Sequence, residues 1–316
     1  MQKLKVIIPE RMNGERLDVA IAEMLPDYSR SKITAKIKSG EALIDSKTFK
    51  PKDKASGKET VFLVFNHKNY THWEAEDISL DIVFEDEDII VINKPFGLVT
   101  HPGAGNWSGT LANALLYHDK NLLKLDRAGI VHRLDKNTSG LMVISKNAKS
   151  QKHLVNQLQV HSVEREYSAI VYGHMISGGT VNEPIGRDSR DRIKQAISNG
   201  GKEAITHYRV IDRYKSHTHV KAILETGRTH QIRVHLSHIG HPLVGDPVYG
   251  GRVRYPKKAA QDLKNALMQF ERQALHSKKL TLMHPSSGET MTWKIDLPDD
   301  MKSLLNTLME FDSDEF

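Results

Sequence analysis

The chain has 316 residues, 39% of them hydrophobic and 27% charged, which is typical of a water-soluble folded protein. It contains no cysteine, which excludes disulfides, thiolate metal sites and a cysteine nucleophile, and it has no apolar run long enough to span a membrane. The net charge is +6 and the N-terminal segment lacks a signal-peptide pattern, so we expect a cytoplasmic protein with a polyanionic partner.

The charge of the chain changes sign near residue 75. Residues 1–75 hold fourteen Lys and Arg against ten Asp and Glu, whereas residues 74–88 hold eight acids and no base. Such a reversal is typical of a segment boundary, although a solvated linker alone would also explain it. We therefore predict a domain at 1–75, with its core at about 14–65 and an acidic linker after it, and a second domain at 76–316.

The first domain is predicted to contain two helices and a small sheet. Apolar residues repeat at helical spacing from Leu17 to Met24. A second helix is expected between Ser29, a candidate N-cap, and Gly40, a candidate stop. The segments EALID and ETVFLVF are expected to be short strands.

The second helix of this domain is strongly basic. Ile33 and Ile37 stand one turn apart and are expected to face inward. The basic residues are then expected to cover the outer faces: Arg30, Lys32, Lys36 and Lys38. A solvated helix face is the ordinary explanation of this pattern, and binding to nucleic acid is the functional alternative.

The second domain starts near Ile78 and contains more predicted strands than helices. Its predicted strands are the two apolar runs of LDIVFEDEDIIVINKP, EREYSAIVYGHM, THYRVIDRY, HTHVKAILET and the hairpin LTLMHPSSGETMTWKIDLP. Its predicted helices are TLANALLYH, SQKHLVNQLQ, HQIRVHLSHIG and PDDMKSLLNTLMEF. The strands come mostly in hairpins, so we predict an α+β fold with a mixed, largely antiparallel sheet and flanking helices. The Gly-rich segment FGLVTHPGAGNWSGT lacks the spacing of a nucleotide-phosphate loop.

The segment GIVHRLDKNTSGLMVISK at 129–146 places a polar stretch between two apolar runs that are expected to be strands. Asp135 then stands at the end of an apolar strand, where a carboxylate needs a cationic partner. Arg133 and Arg233 are the two candidates. Such a pair is either purely structural or keeps Asp135 ionised as a nucleophile.

Four ordered motifs carry a family resemblance over nearly the whole chain: HRLD-K-x-T-S-G-L, REY-x-A-x-V-x-G, GRTHQIRVH followed by HP-x-x-GD-x-x-YGG, and QALH-x-x-x-L-x-x-x-HP. Together they resemble the pseudouridine synthases that modify ribosomal RNA and carry an S4 domain. Within 14–65, the segments RLD and YSRS at the helix starts, followed by a Gly-turn-strand, are similar to the S4 RNA-binding domain itself.

The resemblance implies roles for individual residues. Asp135 would be the catalytic aspartate and Arg233 the cation that pairs with it. Tyr167 would pack under the target base and take part in proton transfer, and Arg133 would help to displace the target nucleotide. His132 would contact the substrate, although it and His101 could equally be hydrogen-bonded core histidines.

The resemblance also implies the partners. The substrate would be 23S ribosomal RNA or a large-subunit assembly particle, with the stem-loop called helix 69 as the target. The four basic residues of the second helix would contact RNA phosphates. No metal or organic cofactor is expected, and the chain is expected to be a monomer that binds no membrane.

The reaction fits the residue types. Uridine must lose its N1–C1′ bond, rotate and rejoin through C5, after extrusion of the base from the folded RNA. Asp135 could attack C6 of the ring, attack C1′ of the ribose, or assist elimination to a glycal. A non-catalytic RNA-binding assembly protein is the alternative function, and a nucleoside hydrolase is a third. The hydrolase lacks a second nearby carboxylate.

Three residues depart from the usual family pattern: Asn137, Ser277 and Gln195. None of them replaces a predicted catalytic residue, so the prediction of activity stands. The sequence also contains 17 histidines, including three spaced three apart at His235, His238 and His241. Pro242 follows them directly and no metal-binding motif surrounds them, so no metal site is predicted.

Overall fold

The structure is a computed structural model that describes residues 2–25, 28, 30–65, 73–103, 105–191 and 194–313. The chain divides into two units, Met1–His72 and Trp73–Phe316. This division lies three residues before the boundary predicted from the change of charge. Of the helices that the structure describes, none is both long and apolar enough to cross a bilayer.

The first unit contains a three-stranded antiparallel sheet and two helices. The strands are β1 (Gln2–Ile7), β2 (Ala42–Ile44) and β3 (Thr60–Phe65), in the order β1–β3–β2. The helices are α1 (Leu17–Met24) and α2 (Arg30–Lys38), with a short 3-10 turn at Glu10–Met12. Both predicted helices and both predicted strands are present in this unit, and β1 was not predicted.

The two helices pack through their apolar residues. Ile21 of α1 and Ile33 of α2 are fully buried, and Ile37 is almost so. Helix α2 is followed by Gly40, whose φ of +74° suits glycine at a helix end. The candidate N-cap Ser29 lies outside the described residues.

The basic residues of α2 do not all face outward. Lys36 is only 7% exposed, and its ammonium lies 2.8 Å from a carboxylate oxygen of Glu41, so the expectation that it covers an outer face is wrong. The cause is its position, since residue 36 adjoins the buried Ile37 and lies one turn after Ile33. Lys38 is exposed, while the side chain of Lys32 lies outside the part that the structure describes.

Arg30 is exposed, but its guanidinium is paired with a carboxylate. Its Nε and Nη2 atoms donate hydrogen bonds to Oδ2 of Asp18 at 3.0 and 2.9 Å. Asp18 also accepts from Arg16, and it is almost fully buried. Arg30 therefore has a structural contact in addition to an exposed face.

The second unit is built on one nine-stranded sheet. Its strand order is β4–β5–β6–β13–β7–β12–β11–β8, with β14 paired to β13. The strands are β4 (Ile82–Glu85), β5 (Ile89–Lys94), β6 (Ser139–Ser145), β7 (Glu164–Tyr172), β8 (Gly179–Asn182), β11 (Ile205–Arg213), β12 (His217–Leu224), β13 (Leu275–Met283) and β14 (Thr290–Lys294). All neighbouring pairs are antiparallel except β6–β13. The predicted α+β fold with a largely antiparallel sheet is confirmed.

Helices and a small ribbon complete this unit. The helices are α3 (Leu111–His118), α4 (Ala148–Gln159), α5 (Gln231–His238), α6 (Gln261–Gln269) and α7 (Asp299–Ser313). The ribbon pairs β9 (Ile185–Arg187) with β10 (Gln195–Ile197). Two 3-10 segments, Lys120–Lys124 and Asp126–Gly129, follow α3. Helix α6 and the strands β8, β9 and β10 were not predicted.

Strand β13 lies between β6 and β7. Ser277 of β13 is opposite Gly140 of β6 on one side and Tyr167 of β7 on the other. Gly140 has a φ of +114°, and a Cβ at this position would collide with the Ser277 backbone. The close approach of the two parallel strands therefore requires glycine at residue 140.

One predicted strand is absent. Of the residues 129–131, only Ile130 forms a bridge, an isolated one with Ile144. Arg127, Ala128 and Gly129 have φ values of 54°, 52° and 78°, which is incompatible with an extended strand. Asp135 therefore does not end a strand, and it lies in the irregular segment before β6.

Candidate active site

A cleft of about 780 Å³ in the second unit brings together the residues singled out in its sequence. Asp135, Tyr167, Arg233, His132 and Arg133 all line it. Among the described residues, Asp135 is the one carboxylate of the lining. Five arginines share the cleft with it: Arg127, Arg133, Arg165, Arg228 and Arg233. The cleft is therefore strongly cationic around a single acid.

The segment that carries Asp135 is held from both sides. The carbonyl of Leu134 accepts a hydrogen bond from the Thr100 hydroxyl at 2.9 Å. The carbonyl of Lys136 accepts from the Gly97 N–H at 2.9 Å and from the Lys94 ammonium at 3.2 Å. Both donor side chains are buried, so the connection between β5 and α3 fixes the backbone on either side of Asp135.

Arg233 bridges two carboxylates. It lies in the first turn of α5 and its side chain is only 5% exposed. Its Nη1 donates to Oδ2 of Asp135 at 2.9 Å. Its Nε and Nη2 donate to the two oxygens of Asp246 at 2.7 and 2.9 Å. Asp246 thus fixes the orientation of the guanidinium, and an N–H group of Nη1 is presented to Asp135.

Asp246 is the buried anchor of this arrangement. Its side chain is fully buried, and it also accepts hydrogen bonds from the N–H groups of Val248 and Tyr249 at 2.8 and 3.0 Å. Burial alone would raise the pKa of Asp246, but the hydrogen bonds and charge of Arg233 more than offset this and hold the pKa below its usual value. The carboxylate is therefore ionised at neutral pH.

The second oxygen of Asp135 faces a histidine. His230 Nε2 lies 3.9 Å from Oδ1 of Asp135, and His230 Nδ1 lies 2.9 Å from the Tyr249 hydroxyl. That hydroxyl also accepts a hydrogen bond from the N–H of Gln195. Since Oδ2 is bonded to Arg233, Oδ1 is the oxygen that remains available to a substrate in the cleft.

Tyr167 reaches the cleft from β7. It is 5% exposed, and burial raises the pKa of its hydroxyl, which is therefore neutral at physiological pH. An aromatic ring in this position offers a flat face to a base and a hydroxyl that can donate a hydrogen bond.

The two residues preceding Leu134 differ in their surroundings. His132 Nε2 accepts a hydrogen bond from the N–H of Val143 at 3.0 Å, so its hydrogen is on Nδ1. Burial, with a smaller effect of Arg165, lowers the pKa of His132 to about 3, which keeps the ring neutral. Arg133 is exposed at the cleft. His132 therefore has a structural bond besides its place in the lining, whereas Arg133 is accessible to a substrate.

The arrangement favours chemistry at one carboxylate. A carboxylate that is paired through one oxygen can act as a nucleophile or stabilise positive charge through the other. A glycosidase of the usual kind needs a second carboxylate, and the described lining of the cleft provides none. The described residues also contain no group of three or more His, Asp or Glu side chains arranged to hold a metal ion.

Three residues of the site were not assigned a role from the sequence: Asp246, His230 and Arg165. Asp246 stands in the GD-x-x-YGG part of a motif and could have been recognised as a buried acid after the apolar run PLVG. His230 was weighed only as a metal ligand. Arg165 precedes the predicted tyrosine in REY, and nothing in the local pattern distinguishes it from a solvated arginine.

Comparisons with known proteins identify the family of this chain. Residues 88–238 match the family model described as RNA pseudouridylate synthase. The chain is 50% identical over 307 residues to ribosomal large subunit pseudouridine synthase D of Escherichia coli (strain K12), covering 97% of this chain and 94% of that protein. The corresponding protein of Xanthomonas campestris is 47% identical over 306 residues and covers 97% and 92%.

A solved structure, human RNA pseudouridylate synthase domain containing 4, is also similar. It has a TM-score of 0.56 and 27% sequence identity, covering 72% of this chain and 92% of its own. The matched family model spans Asp135, Tyr167 and Arg233, and the curated relatives cover both units. The chain therefore belongs to the family of RNA pseudouridylate synthases.

Proposed function

We propose that this enzyme converts uridines of large-subunit ribosomal RNA to pseudouridine, with Asp135 as its catalytic carboxylate. The observation that carries the proposal is the ion pair between Asp135 and Arg233 in a cleft lined by five arginines and one acid. The names of the near full-length relatives support the choice of RNA, since they are described as ribosomal large subunit enzymes.

The contacts of the cleft support a separate role for each of its residues. Arg233 holds Asp135 in position in the cleft, and the orientation of Arg233 is itself set by Asp246. Tyr167 packs against the extruded base. Arg133 is exposed, and it assists extrusion by occupying the vacated space or holding a phosphate. His132 contributes its Nδ1–H group, because its Nε2 is already bonded to the backbone.

The mechanism that we propose needs no cofactor. The free oxygen of Asp135 attacks C6 of the uracil ring or C1′ of the ribose, or assists elimination to a glycal. All three routes use the carboxylate of Asp135, and the contact with Arg233 at 2.9 Å fixes its position.

We propose the stem-loop called helix 69 of 23S ribosomal RNA as the target. This assignment rests on the likeness to ribosomal large subunit pseudouridine synthase D over 97% of the chain. A uridine in a hairpin loop is also easier to extrude than one inside a paired stem. The substrate is the free RNA or a large-subunit assembly particle, and we expect the enzyme to act as a cytoplasmic monomer.

The first unit is proposed to be an S4-like RNA-binding domain. The order of its two helices and the exposed cations of α2 support this role. The contacts argue against Lys36, which is buried against Glu41, and leave Arg30 and Lys38 as the described exposed candidates. The side chain of Lys32 lies outside the described part, so Lys32 stays a candidate from the sequence alone. Arg30 and Lys38 would bind RNA phosphates without reading sequence.

Mapping of pseudouridine tests the function directly. Large-subunit ribosomal RNA is prepared from cells with and without this protein, and from cells that carry the Asp135→Asn variant. We expect pseudouridines in helix 69 to be present only with the parent protein. An unchanged map would contradict the proposal and favour a non-catalytic RNA-binding protein, and abasic sites would indicate a hydrolase. Loss of pseudouridine at other positions would refute only the choice of helix 69.

A further inference from the structure

Arg165 is a buried cation in the cleft that has no carboxylate partner among the described residues. It lies on β7, two residues before Tyr167, so the two side chains point to the same face of the sheet. It is 5% exposed and lines the cleft with Asp135. Its Nη2 donates to the carbonyl of Glu225 at 3.0 Å. Its buried Nε makes no hydrogen bond with any described residue.

Such an arrangement is unfavourable in the protein alone. A guanidinium removed from water is normally paired with a carboxylate and has most of its five N–H groups bonded. Here burial lowers the pKa of Arg165, and the neighbouring Arg228 lowers it further. A positive charge placed in this way is compensated when an anionic group enters the cleft.

The backbone of a neighbouring segment makes room for this side chain. Gly227 lines the same cleft. A Cβ at Gly227 would lie 2.7 Å from Nη1 of Arg165, which is closer than side chains approach each other. Glycine at this position therefore allows the guanidinium to occupy its observed place.

We infer that Arg165 is a further catalytic residue, whose guanidinium binds a carbonyl oxygen of the target uracil and stabilises the negative charge that this oxygen acquires during the reaction. The inference rests on the proposed conversion of uridine in RNA. It adds to that proposal a cation that stabilises negative charge on the base, whereas Asp135 is the carboxylate that starts the reaction.

The charge arises on every route open to Asp135. Attack of the carboxylate on C6 moves the ring electrons onto O4 as an enolate. Cleavage of the N1–C1′ bond leaves its electron pair on the uracil, where it is shared by N1, O2 and O4. When C5 bonds to C1′, the C5 proton is lost and N1 gains a proton, so the product is an isomer of the substrate. A fixed guanidinium stabilises the ring anion in each case.

A backbone phosphate is the other anion that an arginine could bind, and the two contacts differ in what they affect. A phosphate contact contributes equally to substrate binding and to the transition state, and its loss reduces the salt dependence of binding. A contact with the ring oxygen gains strength only as charge develops, so its loss reduces the rate at saturating enzyme. The position of Arg165, buried beside Tyr167, favours the ring oxygen.

The test uses the full-length protein and a transcript of large-subunit ribosomal RNA labelled with tritium at C5 of uridine, whose release measures the reaction. Arg165→Met is compared with Arg213→Met as the matched control. Arg213 also holds backbone carbonyls, those of Met175 and Ile176, but it is exposed and outside the described lining of the cleft. Single-turnover rate, the salt dependence of RNA binding and Tm are measured for each protein.

We expect the single-turnover rate of Arg165→Met to fall by about 10²- to 10³-fold, as for the loss of one donor to a developing oxyanion. RNA affinity and its salt slope should stay at the parental value. The Tm should not fall, because the variant removes an uncompensated buried charge and keeps the side-chain volume. Arg213→Met should react at the parental rate. Arg165→Lys should recover only part of the rate, because lysine lacks the planar fork.

Three results would overturn the inference. A salt slope reduced by about 1 with an unchanged rate would identify a phosphate contact. A lower Tm with an unchanged rate would identify a structural residue, and parental values in all three measurements would refute any role in the reaction. If Arg165→Met does not fold, the Gly227→Ala variant is measured in its place, because the added Cβ displaces the guanidinium without removing it. A slower rate at an unchanged Tm then supports the inference, and a parental rate refutes it. A parent protein that releases no tritium would instead refute the proposed function.

Discussion

Asp246 should stabilise the second unit more than any surface acid, and Asp246→Asn tests this. The substitution keeps the shape of the side chain but removes its charge, and it turns an amide N–H₂ group toward the N–H groups of Arg233. Asp246 is fully buried and accepts four hydrogen bonds, two from Arg233 and two from the backbone. Breaking a buried ion pair of this kind costs about 3–5 kcal/mol. We expect the free energy of unfolding at pH 7 to fall by that amount.

The same contact predicts how the effect depends on pH. The pKa of Asp246 is lowered in the folded protein, so its contribution is complete above the unfolded-state pKa of about 4. It is lost as the pH falls below about 4 toward the folded-state pKa. In this range the difference between parent and variant should shrink by about 1.4 kcal/mol for each pH unit.

Urea unfolding followed by tryptophan fluorescence measures this difference in the right part of the chain. The three tryptophans, Trp73, Trp107 and Trp293, all belong to the second unit, so the signal reports on the unit that holds the cleft. Asp296→Asn serves as the control, because Asp296 is 94% exposed and only loosely paired with Lys302. The control should unfold like the parent. A loss below about 1 kcal/mol for Asp246→Asn, or a loss that does not change between pH 7 and pH 3, would refute the structural role assigned to Asp246.

Three further outcomes are expected. Asp135→Asn should reduce single-turnover tritium release by at least about 10³-fold with RNA affinity unchanged, and substantial residual turnover would mean that another carboxylate is responsible. Arg233→Met should lose activity and about 3–5 kcal/mol of stability, because it leaves two carboxylates unpaired. Arg233→Lys should stay folded with strongly reduced activity, and a stable and active Arg233→Met would contradict the ion pair. Changing Arg30 and Lys38 to Gln should flatten the slope of log K against log[salt] for RNA binding by roughly 1.4 to 1.8 at an unchanged single-turnover rate, while Lys36→Gln should leave the slope unaltered. An unchanged slope in the double variant would rule out phosphate contacts by Arg30 and Lys38.

The sequence predicted those parts of the fold that repeat regularly along the chain. Helices α3, α4, α5 and α7 and the antiparallel pair β11–β12 follow from apolar spacing and turn residues within one segment. The strand expected at 129–131 is absent, because Gly129 continues the turn of Arg127 and Ala128 with a positive φ. The local sequence does not predict this turn.

The site was predicted only where a motif identified the residue. Asp135, Tyr167 and Arg233 stand far apart in the sequence, and the motifs singled them out one by one. The hydrogen bonds of Arg233 to Asp246 depend on how side chains pack, and so does the burial of Arg165 without a carboxylate partner among the described residues. No local sequence pattern predicts them. Lys36 in the first unit is a different case, because its position one turn after Ile33 and next to Ile37 could have indicated that it is buried.

The insertion of β13 between β6 and β7 has a consequence for the synthesis of the enzyme. Asp135 precedes β6 and Tyr167 lies on β7, yet these two strands are joined through residues 275–283, more than 100 residues further along the chain. A nascent chain emerges from its N-terminus, so most of the protein must be translated before the cleft can close. A polypeptide that stops short of β13 would lack the strand that sets the distance between its aspartate and its tyrosine. The machinery for modifying RNA is therefore completed only near the end of translation, after the proposed RNA-binding unit has already been made.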